Sequence, residues 1–119
     1  MTKKRCAVVG ATGIAGQQFL VALDGHPWFE VVRLAASERS AGKAFKEAIR
    51  DAKTGARRWW CVEEPPASML ELLVENGDGL DLDGIDVVFS AVESDVARVL
   101  EPRYAKTTAV LSTASAFRY

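Results

Sequence analysis

Neither sign of charge dominates this chain. Fifteen Lys and Arg stand against sixteen Asp and Glu, a net charge of −1, so no global field draws nucleic acid or an anionic lipid surface, and any anion site must be local. Long apolar runs are missing too, since no stretch approaches the about 20 residues a membrane-spanning helix needs. Cysteine is scarce: Cys6 and Cys61 are the two in the chain, and both sit inside apolar or aromatic runs. The opening Met1-Thr2-Lys3-Lys4-Arg5 leads straight into a strand-like segment, without the apolar region and cleavage site of a signal peptide, so a reducing cytoplasm is expected. What remains is 49% apolar and 26% charged, the balance of a soluble globular protein. A length of 119 residues suits one domain, residues 1–119, with a sheet and covering helices but no room for a second domain.

The first apolar run, residues 6–9, ends in glycine and reads as a parallel strand buried on both faces. Behind Gln17 and Gln18, the residues Phe19, Leu20 and Leu23 recur at helical spacing, and Gly25 with Pro27 closes that helix. Residues 29–36 (FEVVRLAA) carry central valines and read as a second strand. Further on, the pattern predicts a helix over 44–53, a short strand over 59–62, and a helix over 68–76. The last rests on Ser68 and Glu71 as a capping box, with Gly77 after its end. The acidic stretch 76–84 reads as a solvated turn-rich linker, because it lacks the spacing and terminal glutamate of a calcium loop.

Residues 85–91 (IDVVFSA) give a later strand, and Val96, Val99, Leu100 and Tyr104 keep one face of the following helix. Pro102 is expected to kink or break that helix, because it removes a hydrogen bond and clashes one turn back. Residues 109–111 make the last strand. Strands alternating with helices point to an α/β fold, an open parallel sheet with helices on both faces and right-handed crossovers.

The most informative stretch is the loop GATGIAG, with Gly10, Gly13 and Gly16 between the first strand and first helix. A strand running through glycines into a helix aims backbone N–H groups and the helix dipole at a phosphate. Gly10 permits the tight turn, Gly13 lets a pyrophosphate approach the backbone, and Gly16 lets the helix pack closely. The expected domain is therefore Rossmann-like and NAD(P)-binding. Its spacing is G-x-x-G-x-x-G, and a bare turn at a helix start is the competing reading.

The end of the second strand chooses between cofactors, because NAD sites usually place a carboxylate there for the ribose. Here the strand ends in Ala35-Ala36, followed by Ser37-Glu38-Arg39-Ser40. Two hydroxyls and a guanidinium suit the 2′-phosphate of NADP. Glu38 leaves NAD open, and a solvated charged turn is the bland alternative.

With those residues in hand, the chain resembles aspartate-semialdehyde dehydrogenase of the archaeal and fungal type. The matching stretches run in order: VGATGIAG (9–16), HPWFE (26–30), LAASERSAGK (34–43), VVFSA (87–91), SDVA (94–97), Glu101-Pro102 and ASAFR (114–118). The resemblance implies an oligomeric enzyme for the reversible NADPH-dependent reduction of L-4-aspartyl phosphate to L-aspartate 4-semialdehyde and phosphate, on the way to lysine, threonine and methionine. It implies that Gly10, Thr12, Gly13 and Ile14 hold the pyrophosphate. Ser37, Arg39 and Ser40 would grip the 2′-phosphate, and Ser90 and Ala91 would line the cofactor cleft. Arg118 would bind the substrate's phosphate, with an exposed arginine of no role as the alternative. Thr113 replaces a usual asparagine, and Glu93 a common proline.

The family's chemistry uses a cysteine thiolate, which attacks the acyl phosphate, and an acid–base histidine, both in a second domain. Neither Cys6 nor Cys61, in expected apolar strands, nor His26, in a turn at the far end of the sheet, is expected to replace them. The chain is thus expected to be a cofactor domain without catalytic residues. Two readings stay beside it: a stand-alone NADP-sensing or nucleotide-binding module, and the same domain of a related acyl-phosphate or malonyl-CoA reductase. A short-chain reductase is disfavoured, because Tyr104-Ala105-Lys106 lacks the Tyr-x-x-x-Lys spacing.

Overall fold

A computed structural model describes residues 3–36, 41–50, 53–77, 80, 82–92, 94–106 and 108–112. Along them run β1 (Lys4–Val9), α1 (Ile14–Leu23), β2 (Phe29–Ala36), α2 (Phe45–Ala48), α3 (Ala67–Leu70), β3 (Val74–Asn76), β4 (Val87–Ser90), α4 (Ser94–Ala105) and β5 (Ala109–Ser112). The strands form one five-stranded sheet in the order β3-β2-β1-β4-β5, with every pairing parallel. No helix among the described residues is long and apolar enough to cross a membrane.

The continuous apolar run of β1 follows from its place at the centre. Cys6 and Val8 face one core cluster while Ala7 and Val9 face the other, and all four are buried. A strand covered on both faces has no polar side to alternate with. In β2, the register against β1 shifts between Cys6 and Ala7, which pair with Val31 and Arg33. The extra residue changes which side chains face which layer: Phe29 and Val31 pack on the same cluster as Leu34 and Ala36, a parity an unbroken strand could not keep.

Helix α1 buries Leu20 and Leu23 in that first cluster, together with Phe45, Ile49 and Met69, whereas Leu100 and Tyr104 of α4 enter the second. The path from β1 to β2 steps one way across the sheet with its helix on one face. The path from β4 to β5 steps the opposite way with its helix on the other face, so both crossovers share one hand. The side chains of Val96 and Val99 lie outside the described set.

Several expected elements are corrected. Residues 68–76 do not form one helix: α3 is a single turn entered at Pro66, with no side-chain cap from Ser68, and the chain then becomes β3. Val74, 1% exposed, pairs with Leu34 on β2, so a free strand edge overrides the helical leaning of the leucine-rich run. Gly77 follows this strand rather than a helix, and its N–H donates to the Ala36 carbonyl. Residues 59–62 are not a strand, and Val62 is 99% exposed. The helix expected over 44–53 shrinks to α2. Pro102 does not break α4, which continues to Ala105. The turn after it is anchored by buried Tyr104, whose hydroxyl donates to the Gly77 carbonyl.

Candidate cofactor site

The strand order reverses between β1 and β4: chain segments leaving β1 go to one side, and those leaving β4 go to the other. Such a switch point opens a crevice at the carboxyl ends of the two strands, and the glycine loop sits there. Gly10 has φ of +79°, and a Cβ on it would lie 2.9 Å from the Ala91 carbonyl oxygen. The Ala91 N–H donates to the Val9 carbonyl at 2.9 Å, so the loop after β1 and the residues after β4 abut.

The N–H groups of Gly10 and Ala11 both donate to the Ala35 carbonyl, at 2.8 and 3.1 Å, and that of Gly13 donates to the Gly10 carbonyl at 3.1 Å. The first bond of α1 runs from the Gln17 N–H to the Gly13 carbonyl at 2.9 Å. The N–H groups of Ile14, Ala15 and Gly16 precede it, and Gly13 at the N-cap supplies no side chain to satisfy them. A ten-residue helix thus begins at the crevice with the positive end of its dipole and its first N–H groups.

The later glycines separate packing from access. A Cβ on Gly16 would fall 2.0 Å from the Gly10 carbonyl oxygen, so the helix closes onto the loop backbone as only glycine allows. Among the described residues, a Cβ on Gly13 would touch only that same oxygen, at 3.6 Å. The protein's own packing gives no reason for glycine there, and the space lies on the exposed side.

The structure brings together Gly10, Thr12, Gly13 and Ile14 with Ser90, which is buried at the end of β4, and Ala91. Ser37, Glu38, Arg39, Ser40, Glu93, Thr113 and Arg118 lie outside the described residues. His26 is at the amino end of β2, far along the sheet from the glycine loop; it accepts from the Trp28 N–H at 3.1 Å and packs on Phe29. Cys6 is buried in β1, and burial pushes its thiol up to about 11. Cys61 lies outside any strand, contrary to expectation, beside Gln18, Val21 and Ala22 of α1. Its thiol is also raised, by burial and then by the Glu63 carboxylate. Neither cysteine meets the description of an activated thiolate beside a base.

Sequence reasoning passed over Gln17, which is fully buried. Its Nε2 donates to the Thr12 carbonyl at 3.1 Å and to the Arg58 carbonyl at 2.8 Å, and its Oε1 accepts from the Trp60 N–H at 2.9 Å. A signal existed: Gln17 is one helical step from Leu20 on the inward face, and a polar side chain there requires partners.

A doubly wound parallel sheet with a glycine loop and an open helix N-terminus at its switch point defines a dinucleotide-binding α/β domain. Residues 5–119 match the family described as semialdehyde dehydrogenase, NAD binding domain, and the chain belongs to that family. It is 42% identical over 111 residues to an aspartate-semialdehyde dehydrogenase of Methanothermobacter thermautotrophicus, covering 93% of this chain and 30% of that protein. It is 36% identical over 119 residues to one of Trichophyton rubrum, covering 98% of this chain and 30% of that protein. Among solved structures, aspartate semialdehyde dehydrogenase with NADP from Candida albicans superposes with a TM-score of 0.83 at 35% identity, covering 96% of this chain and 30% of that one. The chain therefore spans less than a third of the length of these relatives.

Proposed function

We propose that this chain is the NADP-binding domain of an aspartate-semialdehyde dehydrogenase, serving the reversible reduction of L-4-aspartyl phosphate to L-aspartate 4-semialdehyde and phosphate. The observation that carries the reading is Gly13, where packing leaves open space at the uncapped end of α1 beside the β1/β4 switch point. A pyrophosphate finds both room and N–H donors there. In this reading Gly10, Thr12, Gly13 and Ile14 hold the pyrophosphate, and Ser90 and Ala91 line the cleft. Ser37, Arg39 and Ser40 grip the 2′-phosphate, while Arg118 serves the phosphate of the substrate.

The similarity to the Candida albicans enzyme solved with NADP supports the choice of cofactor. The nicotinamide supplies or takes up the hydride; the residues of this chain bind and orient it. The environments of Cys6, Cys61 and His26 support a reactive thiolate and histidine supplied from elsewhere in a longer protein, so these 119 residues alone bind cofactor without turnover. Both cysteines are free thiols, which supports a cytoplasmic setting.

Calorimetric titration with NADP and with NAD tests the assignment. NADP is expected to bind more tightly, and Arg39→Ala to remove the preference at a cost of roughly 1.5–3 kcal/mol, the worth of a charged hydrogen bond. Equal affinity of the wild-type protein for both cofactors would overturn the 2′-phosphate site.

A further inference from the structure

We infer that Gln17 is a positioning residue for the pyrophosphate loop: its buried amide holds the Thr12–Gly13 peptide in one orientation and locks it to residues 58–60. The inference rests on the cofactor reading above and assigns a role to a side chain outside the ligand-contacting set. The orientation of the amide is fixed by its surroundings. Two carbonyls, of Thr12 and Arg58, require the NH2 end, and the Trp60 N–H requires the oxygen, so a flipped amide would confront like with like.

The peptide joining Thr12 to Gly13 is held at both ends. Its carbonyl accepts from Gln17 Nε2, and its N–H donates to the Gly10 carbonyl at 3.1 Å. With that plane fixed, the start of α1 that follows at Ile14 and Ala15 is set before any ligand arrives, which lowers the ordering cost of binding. A leucine at position 17 would fill similar volume but leave the Thr12 and Arg58 carbonyls and the Trp60 N–H without their partner at a part-buried seam. The same amide ties the loop to the segment where the Arg58 guanidinium lies 5.6 Å over the Trp60 ring, so the two backbone segments move as one.

Gln17→Leu tests this against Leu20→Ala, which removes a fully buried side chain from the same helix and contributes nothing to the loop. Gln17→Leu is expected to weaken NADP and NAD alike by tenfold or more, because the loop serves the pyrophosphate common to both, with their affinity ratio unchanged. Leu20→Ala is expected to lower the melting temperature with both affinities within twofold of wild type. Equal losses of affinity in the two variants, or a changed NADP to NAD ratio in Gln17→Leu, would overturn the inference. Amide hydrogen exchange of the ligand-free wild-type protein decides the matter even if Gln17→Leu does not fold or no dinucleotide binds. The Trp60 and Gly13 amides should show matching protection, and a freely exchanging Trp60 amide refutes the brace.

Discussion

A methyl group added at Gly16 would sit 2.0 Å from the Gly10 carbonyl oxygen, and one added at Gly13 would sit 3.6 Å from the same atom. Gly16→Ala should therefore destabilise the fold. The gain in helix propensity, about 1 kcal/mol, is smaller than the clash with backbone that cannot swing aside, and overpacking typically costs about 1–3 kcal/mol or more. Gly13→Ala faces neither clash nor a positive φ, since φ there is −85°; the change in stability should stay under about 1 kcal/mol. Its cost should fall on binding, with the NADP dissociation constant rising tenfold or more, because the methyl enters the space left for the pyrophosphate. Thermal melts and calorimetry on the two variants separate these effects, and an unchanged NADP affinity in Gly13→Ala would remove the pyrophosphate from that spot. Gly13 and Gly16 were legible because the atom nearest each, the Gly10 carbonyl oxygen, lies only a few residues back along the chain. Gln17 was only partly so: its place on the inward face asks for partners, but Arg58 and Trp60 lie 41 and 43 residues away, and nothing local says which groups they are.

Elements divide in a similar way. The strands β1, β2, β4 and β5 could be read from sequence because burial on both faces, or a valine-rich run, leaves an apolar signature. The three-residue β3 could not: its conformation is set by the free edge of β2, and the leucines just before it carry the helical pattern expected over 68–76. Two neighbouring side chains distinguish the structures. Leu73 is 64% exposed and Val74 is 1% exposed. Leu73→Ala should change stability by no more than about 0.5 kcal/mol. Val74→Ala should cost about 1.6 kcal/mol, at about 0.8 per methylene removed, plus a contribution from the cavity left behind. Denaturant titration of both variants checks the assignment; a larger loss at Leu73 would restore the helix. The aromatic run at 59–62 misled for a related reason. Its apolar character served packing, with Trp59 against Phe45, while the Trp60 N–H found a side-chain amide in place of a ladder.

At the scale of the whole molecule, the two edges of the sheet are treated differently. Beyond β3, the Gly42 N–H donates to the Val74 carbonyl at 2.7 Å and the Val74 N–H to the Lys43 carbonyl at 2.8 Å, so loop backbone covers that edge. On the other side β5 pairs with β4 alone among the described residues, and Leu111 there is 52% exposed. An uncovered strand edge carrying an exposed leucine is a template for pairing with another chain. The isolated chain should therefore self-associate as concentration rises, and Leu111→Lys should shift it toward monomer, because a charge on an edge strand opposes such pairing. The substitution is at the surface and should change stability by no more than about 0.5 kcal/mol. NADP affinity should also hold, since β4 stands between β5 and the glycine loop at the end of β1. Sedimentation equilibrium over a concentration series reads the first expectation and calorimetry the second. A wild-type chain that stays monomeric throughout would mean that the β5 edge is closed, and a Leu111→Lys chain that associates as strongly as wild type would place the contact on another face.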